Sequence, residues 1–157
     1  HWLKVHFRGR TGYLYAGYLS TVGAPEKTVT TGKLTMALED YVEFAFKADG
    51  PPVHTHENGV HHTYQPLKNR AFLETEVQNG SSSASLTFSA NDVFDAYVIL
   101  EALLYWNNRT DLMNTLRFIK DKDGRISRIT DAQGRFRISE LSKGQIHLNI
   151  NDIDSGP

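Results

Sequence analysis

The chain has 157 residues, of which 39% are hydrophobic, enough to bury one domain of ordinary size or a small domain beside a fragment of another. Lysine and arginine number 17 against 18 for aspartate and glutamate, and a net charge of -1 gives no electrostatic basis for nucleic acid or an anionic membrane as the partner. There is no cysteine, which excludes disulfides, thiolate chemistry and cysteine-ligated metal, and no apolar run approaches the roughly 20 residues that a membrane-spanning helix needs.

The first predicted strand runs from Trp2 through Leu3, Val5 and Phe7, turns at Arg8-Gly9-Arg10, and resumes through Gly12, Tyr13, Leu14 and Tyr15 towards Gly17, Tyr18 and Leu19. This order, a tryptophan, then Gly-x-x-Gly with an aromatic, then Gly-Tyr-Leu, resembles the closing part of the bacterial SH3 (SH3b) family over residues 1–20, with the opening part expected upstream. The resemblance implies SH3-like β-barrel strands and an aromatic surface, carried by Trp2, Tyr13 and Tyr18, that holds a peptide, cell-wall or protein ligand. It also implies a bacterial cell envelope, periplasmic or secreted setting. Aromatic faces suit that task because they bury a large area at small entropic cost.

Residues 21–32, a polar stretch with Pro25 and two glycines, are expected to be a linker. Residues 33–154 then make an α+β domain. Leu34, Met36 and Leu38, followed by Val42, Phe44 and Phe46, alternate with polar positions and predict a hairpin turned at Glu39-Asp40. Pro51-Pro52 blocks a helix, and Asn58-Gly59 is the favoured pair for a two-residue type I′ turn, so a second hairpin is expected over VHTHENGVHHTYQ. A short strand is expected around Leu73 to Val77, a flexible tip at GSSSAS, and another strand at Leu86 to Phe88.

From Ser89 the period changes. Ser89 with Asp92 has the spacing of a capping box, and Val93, Tyr97, Leu100 and Leu104 recur at helical spacing, which predicts the one main helix near 90–107. Strands at 116–119, 125–129, 135–138 and 146–150 follow as a meander, giving an antiparallel sheet with that helix across its apolar face. Asp121-Lys-Asp-Gly has the look of an EF-hand centre, yet Ile119 and Thr130 occupy the first and last ligand positions, so it reads as a hairpin turn.

The histidine-rich hairpin carries the alternative function. With the turn at Asn58-Gly59, His56 faces His61 and His54 faces Thr63, which puts His54, His56 and His61 on one side of the ribbon as three nitrogen ligands for zinc with a fourth position open. A hydrolase would be the catalytic version of that reading. His62 and Glu57 face the other way. No nucleophile elbow and no phosphate-cradling glycine loop stands in the sequence, so an enzymatic reading has no other anchor. The first expectation is therefore a non-catalytic binding protein without a cofactor.

Overall fold

The computed structural model describes residues 2–15 and 33–152. At the amino end, β1 (Trp2–Phe7) and β2 (Arg10–Tyr15) form an antiparallel ribbon with Trp2 opposite Tyr15 and Phe7 opposite Arg10. Arg8 and Gly9, at φ 48° and 74°, make the left-handed two-residue turn that matches the twist of such a ribbon. The hairpin lies where the sequence pattern puts it. The expected linker at 21–32 lies outside the described residues.

The remaining elements fall into two halves of one plan, a helix followed by four strands. The first half is α1 (Leu34–Ala45), β3 (Val53–Glu57), β4 (Val60–Leu67), β5 (Ala71–Gln78) and β6 (Ser81–Ser89). The second is α2 (Val93–Trp106), a 3-10 turn at Thr110–Thr115, then β7 (Leu116–Lys120), β8 (Ile126–Asp131), β9 (Phe136–Ser142) and β10 (Gln145–Asp152). The eight strands form one antiparallel sheet in the order β3-β4-β5-β6-β10-β9-β8-β7, so the halves mirror one another about the β6–β10 pair. The described residues adopt the expected α+β class with an antiparallel sheet, and among them there are two α-helices in place of one.

The added helix is α1, where alternation predicts a hairpin. Leu34, Leu38, Tyr41 and Val42 are buried and stand at positions i, i+4, i+7 and i+8, an apolar stripe on a helix, whereas Met36 and Phe44, needed inside for the strand reading, are exposed. Both periods are present in the segment, and only the helical one matches the core. Likewise the serine run expected as a flexible tip is part of β6; the turn before it is Asn79-Gly80, with both residues at positive φ. The cap of α2 is Asp92, whose carboxylate accepts the Phe94 N–H at 2.8 Å.

One face of the sheet is apolar because β6 and β10 alternate strictly. Ala84, Leu86 and Phe88 pair with Ile150, Leu148 and Ile146, and all six are buried beneath the helices. Ile138 and Phe136 of β9 and Ile129 of β8 extend this floor beneath α2, and Leu73 of β5 extends it beneath α1. The opposite face is polar, and there Thr87 bonds His147 at 3.0 Å and Asn149 bonds Ser85 at 2.8 Å across the same strand pair. At the far corner the buried Asp131 accepts from the Arg135 side chain at 2.8 Å and the Phe136 N–H at 3.1 Å. Burial alone would raise its pKa, but these bonds outweigh it and hold the carboxyl below its ordinary value.

The placement of α1 is fixed from the end of the chain's last strand. Its cap residue, Lys33, makes no side-chain cap bond; instead the Asp152 carboxylate at the end of β10 accepts the N–H groups of Leu34 and Thr35 at 3.3 and 2.9 Å and the Thr35 hydroxyl at 2.6 Å. Ser82 of β6 holds the same hydroxyl at 2.9 Å. A negative charge at a helix N-terminus satisfies open donors and complements the dipole. The Asp152→Ala variant is expected to lose about 1–2 kcal/mol in urea unfolding and to show faster amide exchange at Thr35 to Leu38, an effect of the size seen when a helix cap is removed.

Candidate functional site

The histidine hairpin has the predicted register. Glu57 faces Val60, His56 faces His61 and His54 faces Thr63, with Asn58 and Gly59 at φ 53° and 79° in the turn. His54, His56 and His61 therefore share the face of the sheet that carries the helices. The His56 and His61 rings stack with centroids 4.1 Å apart and planes 18° apart, while the His54 Nδ1 bonds the Thr63 hydroxyl at 3.0 Å. Among the described residues no group of three or more histidine, aspartate or glutamate side chains is arranged to hold a metal ion. His62 turns to the other face, 3.6 Å from Glu76 of β5.

Of the three aromatic residues singled out near the amino end, Tyr13 projects from β2 and is 64% exposed. Trp2 is described through its backbone in β1, and Tyr18 lies outside the described residues. No helix among the described residues is long and apolar enough to cross a membrane.

A concavity that the sequence pattern does not announce lies on the first half. The two halves place their helices differently: α2 packs over β8, β9 and β10, whereas α1 packs over β5, β6 and β10. Phe118 of β7 lies against Phe94 and Tyr97 of α2, with centroids 6.4 and 5.5 Å away, and covers the outer flank of the second half. Among the described residues, no aromatic side chain of an outer strand packs on α1 in the way that Phe118 packs on α2. β3 is exposed along its whole length, and between α1 and strands β3 to β5 lies a groove of about 420 Å³.

Its floor is apolar, formed by Val42 of α1 with Leu67 and Leu73 of the sheet. Phe46, just past the helix, forms a wall and is fixed by edge-on contacts with Tyr41 and Phe88 at 6.1 and 6.0 Å. The segment after α1 is bound to the end of β4 through the Lys68 N–H to Lys47 carbonyl bond at 2.8 Å and the Asp49 N–H to Pro66 carbonyl bond at 2.9 Å. An ion pair between Lys68 and Asp49 closes that corner. Thr63, Thr75 and His54 give the strand side a polar edge, and Glu39 and Glu43 edge the helix side.

Glu39 is perturbed by this setting. Desolvation at the groove wall, with the neighbouring negative charge of Asp40 second, pushes its carboxyl above the ordinary value. A perturbed titratable group in an apolar concavity is a recognised mark of a binding site. Sequence reasoning missed Glu39, Val42 and Phe46 because it placed Glu39 in a hairpin turn and Val42 and Phe46 on the strand after it; the Leu34, Leu38, Tyr41, Val42 stripe was the signal that would have found the helix.

A second, smaller depression of about 350 Å³ lies on the opposite face among Tyr64, Glu74, Glu76, Ser83 and Ser85. Nearby, burial holds the His147 pKa below its ordinary value, with Glu74 opposing and Arg137 reinforcing the shift. Compared with protein-family models, with curated proteins and with solved structures, the chain matches none.

Proposed function

We propose that the chain is a non-catalytic recognition module that holds a peptide, from a protein or from cell-wall material, in the groove between α1 and strands β3 to β5. The observation that carries this reading is the groove of the first half: among the described residues it has a fixed apolar floor with polar edges, at the flank that in the second half carries the Phe94, Tyr97 and Phe118 cluster. An extended peptide suits a groove of this form, since its apolar side chains displace water from Phe46, Ala48 and Pro52 above the buried floor while its backbone meets the hydroxyls of Thr63 and Thr75. A bacterial envelope or secreted setting is part of the proposal and rests on the resemblance of residues 1–20 to SH3b domains, with Tyr13 as an accessory contact.

The test is binding of a panel of synthetic and cell-wall-derived peptides, followed by fluorescence anisotropy. Thr75→Trp fills the groove from its strand side and is expected to weaken the best binder by about tenfold or more, the scale of a contact at the centre of an interface, with the thermal transition retained. Unchanged affinity in that variant, together with loss of binding in Tyr13→Ala, would move the ligand to the β1–β2 ribbon.

The register of the histidine hairpin favours a second reading, zinc binding at His54, His56 and His61. Bringing the three imidazoles onto one ion requires the His56–His61 stack to open and His54 to leave Thr63. Native mass spectrometry after dialysis against zinc is expected, on this reading, to give a one-to-one adduct that is lost in His56→Ala. A spectrum of metal-free protein retires it.

A further inference from the structure

The proposed groove has a chemical preference written in its edges. Glu39 and Glu43 are one helical turn apart and both line it, and positions four apart on a helix are neighbours on its surface. With Asp40 between them in sequence, α1 carries three acidic residues and no basic one. Among the described residues no lysine or arginine lines the groove. The neighbouring Asp40 opposes ionisation of Glu39, and Glu43 at i+4 adds a second carboxylate to the same edge.

Resting on the groove reading above, we infer that the group selected is a basic side chain of the peptide, lysine or arginine, whose alkyl stem lies along Phe46, Ala48 and Pro52 above the floor of Val42, Leu67 and Leu73 and whose cation meets Glu39 and Glu43. Such a side chain is amphipathic in the way the groove is, with an apolar stem of several carbons ending in a charge. Its cation relieves the repulsion on α1. It also favours the ionised form of Glu39, the form that desolvation disfavours in the empty groove. An acidic guest meets repulsion at the same edge, and a purely apolar one leaves the two carboxylates unpaired over its end.

The experiment is an amide-resolved NMR titration of the full chain with three capped tripeptides, acetyl-Gly-Lys-Gly-amide and its norleucine and glutamate counterparts, at low salt. The lysine peptide is expected to shift the amides around Val42, Leu67 and Thr75 and to bind about threefold or more tighter than norleucine, with glutamate weaker than either. Glu39→Gln and Glu43→Gln are each expected to weaken the lysine peptide about threefold, and raising the salt is expected to erode its advantage. Norleucine binding in the groove as well as lysine, or lysine binding undiminished in both variants, overturns the cationic preference and leaves the groove as an apolar peptide site. Shifts from none of the three peptides at the groove overturn the preference and count against the groove reading itself.

Discussion

The pairing of β6 with β10 is the contact on which the rest of the molecule depends. It is the line along which the two helix-plus-four-strand halves meet, and its strict alternation decides which face of the whole sheet is apolar. A slip of one residue would turn Ala84, Leu86 and Phe88 to solvent and carry Ser83, Ser85 and Thr87 under the helices. The pairs Leu86–Leu148, Phe88–Ile146 and Ala84–Ile150 oppose that slip on one side, and the Thr87–His147 and Ser85–Asn149 bonds oppose it on the other. Asp152 then carries the seam's influence into the helix layer, because the end of β10 is also the cap of α1.

That cap explains why two halves of one plan differ in what they leave exposed. Drawn towards the centre of the sheet, α1 covers β5, β6 and β10, and β3 and β4 continue past it. In the second half α2 lies farther out, and Phe94, Tyr97 and Phe118 close the flank. The groove is thus a consequence of helix placement, and its floor is a continuation of the core, which keeps Leu67 and Leu73 in place without a ligand. A preformed concavity of that kind binds without a large ordering cost.

Local chemistry was legible in the sequence and long-range chemistry was not. Asn58-Gly59 fixed the register of the histidine hairpin because that turn type needs positive φ at both positions, and the pairing of His56 with His61 followed. The helix at Val93–Trp106 was legible from its long apolar stripe, although the capping box expected from Ser89 does not form: Ser89 ends β6 and the cap is Asp92. The helix at Leu34–Ala45 was not, since its N-terminus is capped by a residue 117 positions away from Thr35 and its apolar residues fit two periods. The groove residues Glu39, Val42 and Phe46 were hidden by the same misreading. The symmetry of the halves was hidden too, because burying one face requires only the same pattern of apolar positions, and many different residues satisfy that pattern.

The measurement that bears most directly on this account is native-state amide hydrogen exchange of the unliganded chain, resolved by residue. The account predicts the slowest exchange, near the limit of global unfolding, at Leu86, Phe88, Ile146 and Leu148 along the seam, and exchange faster by orders of magnitude at the edge strand β3 and its partner β4. Protection at His54 to Gln65 equal to that along β6 and β10 would contradict it, since it would mean that the outer flank of the first half is covered and the groove closed.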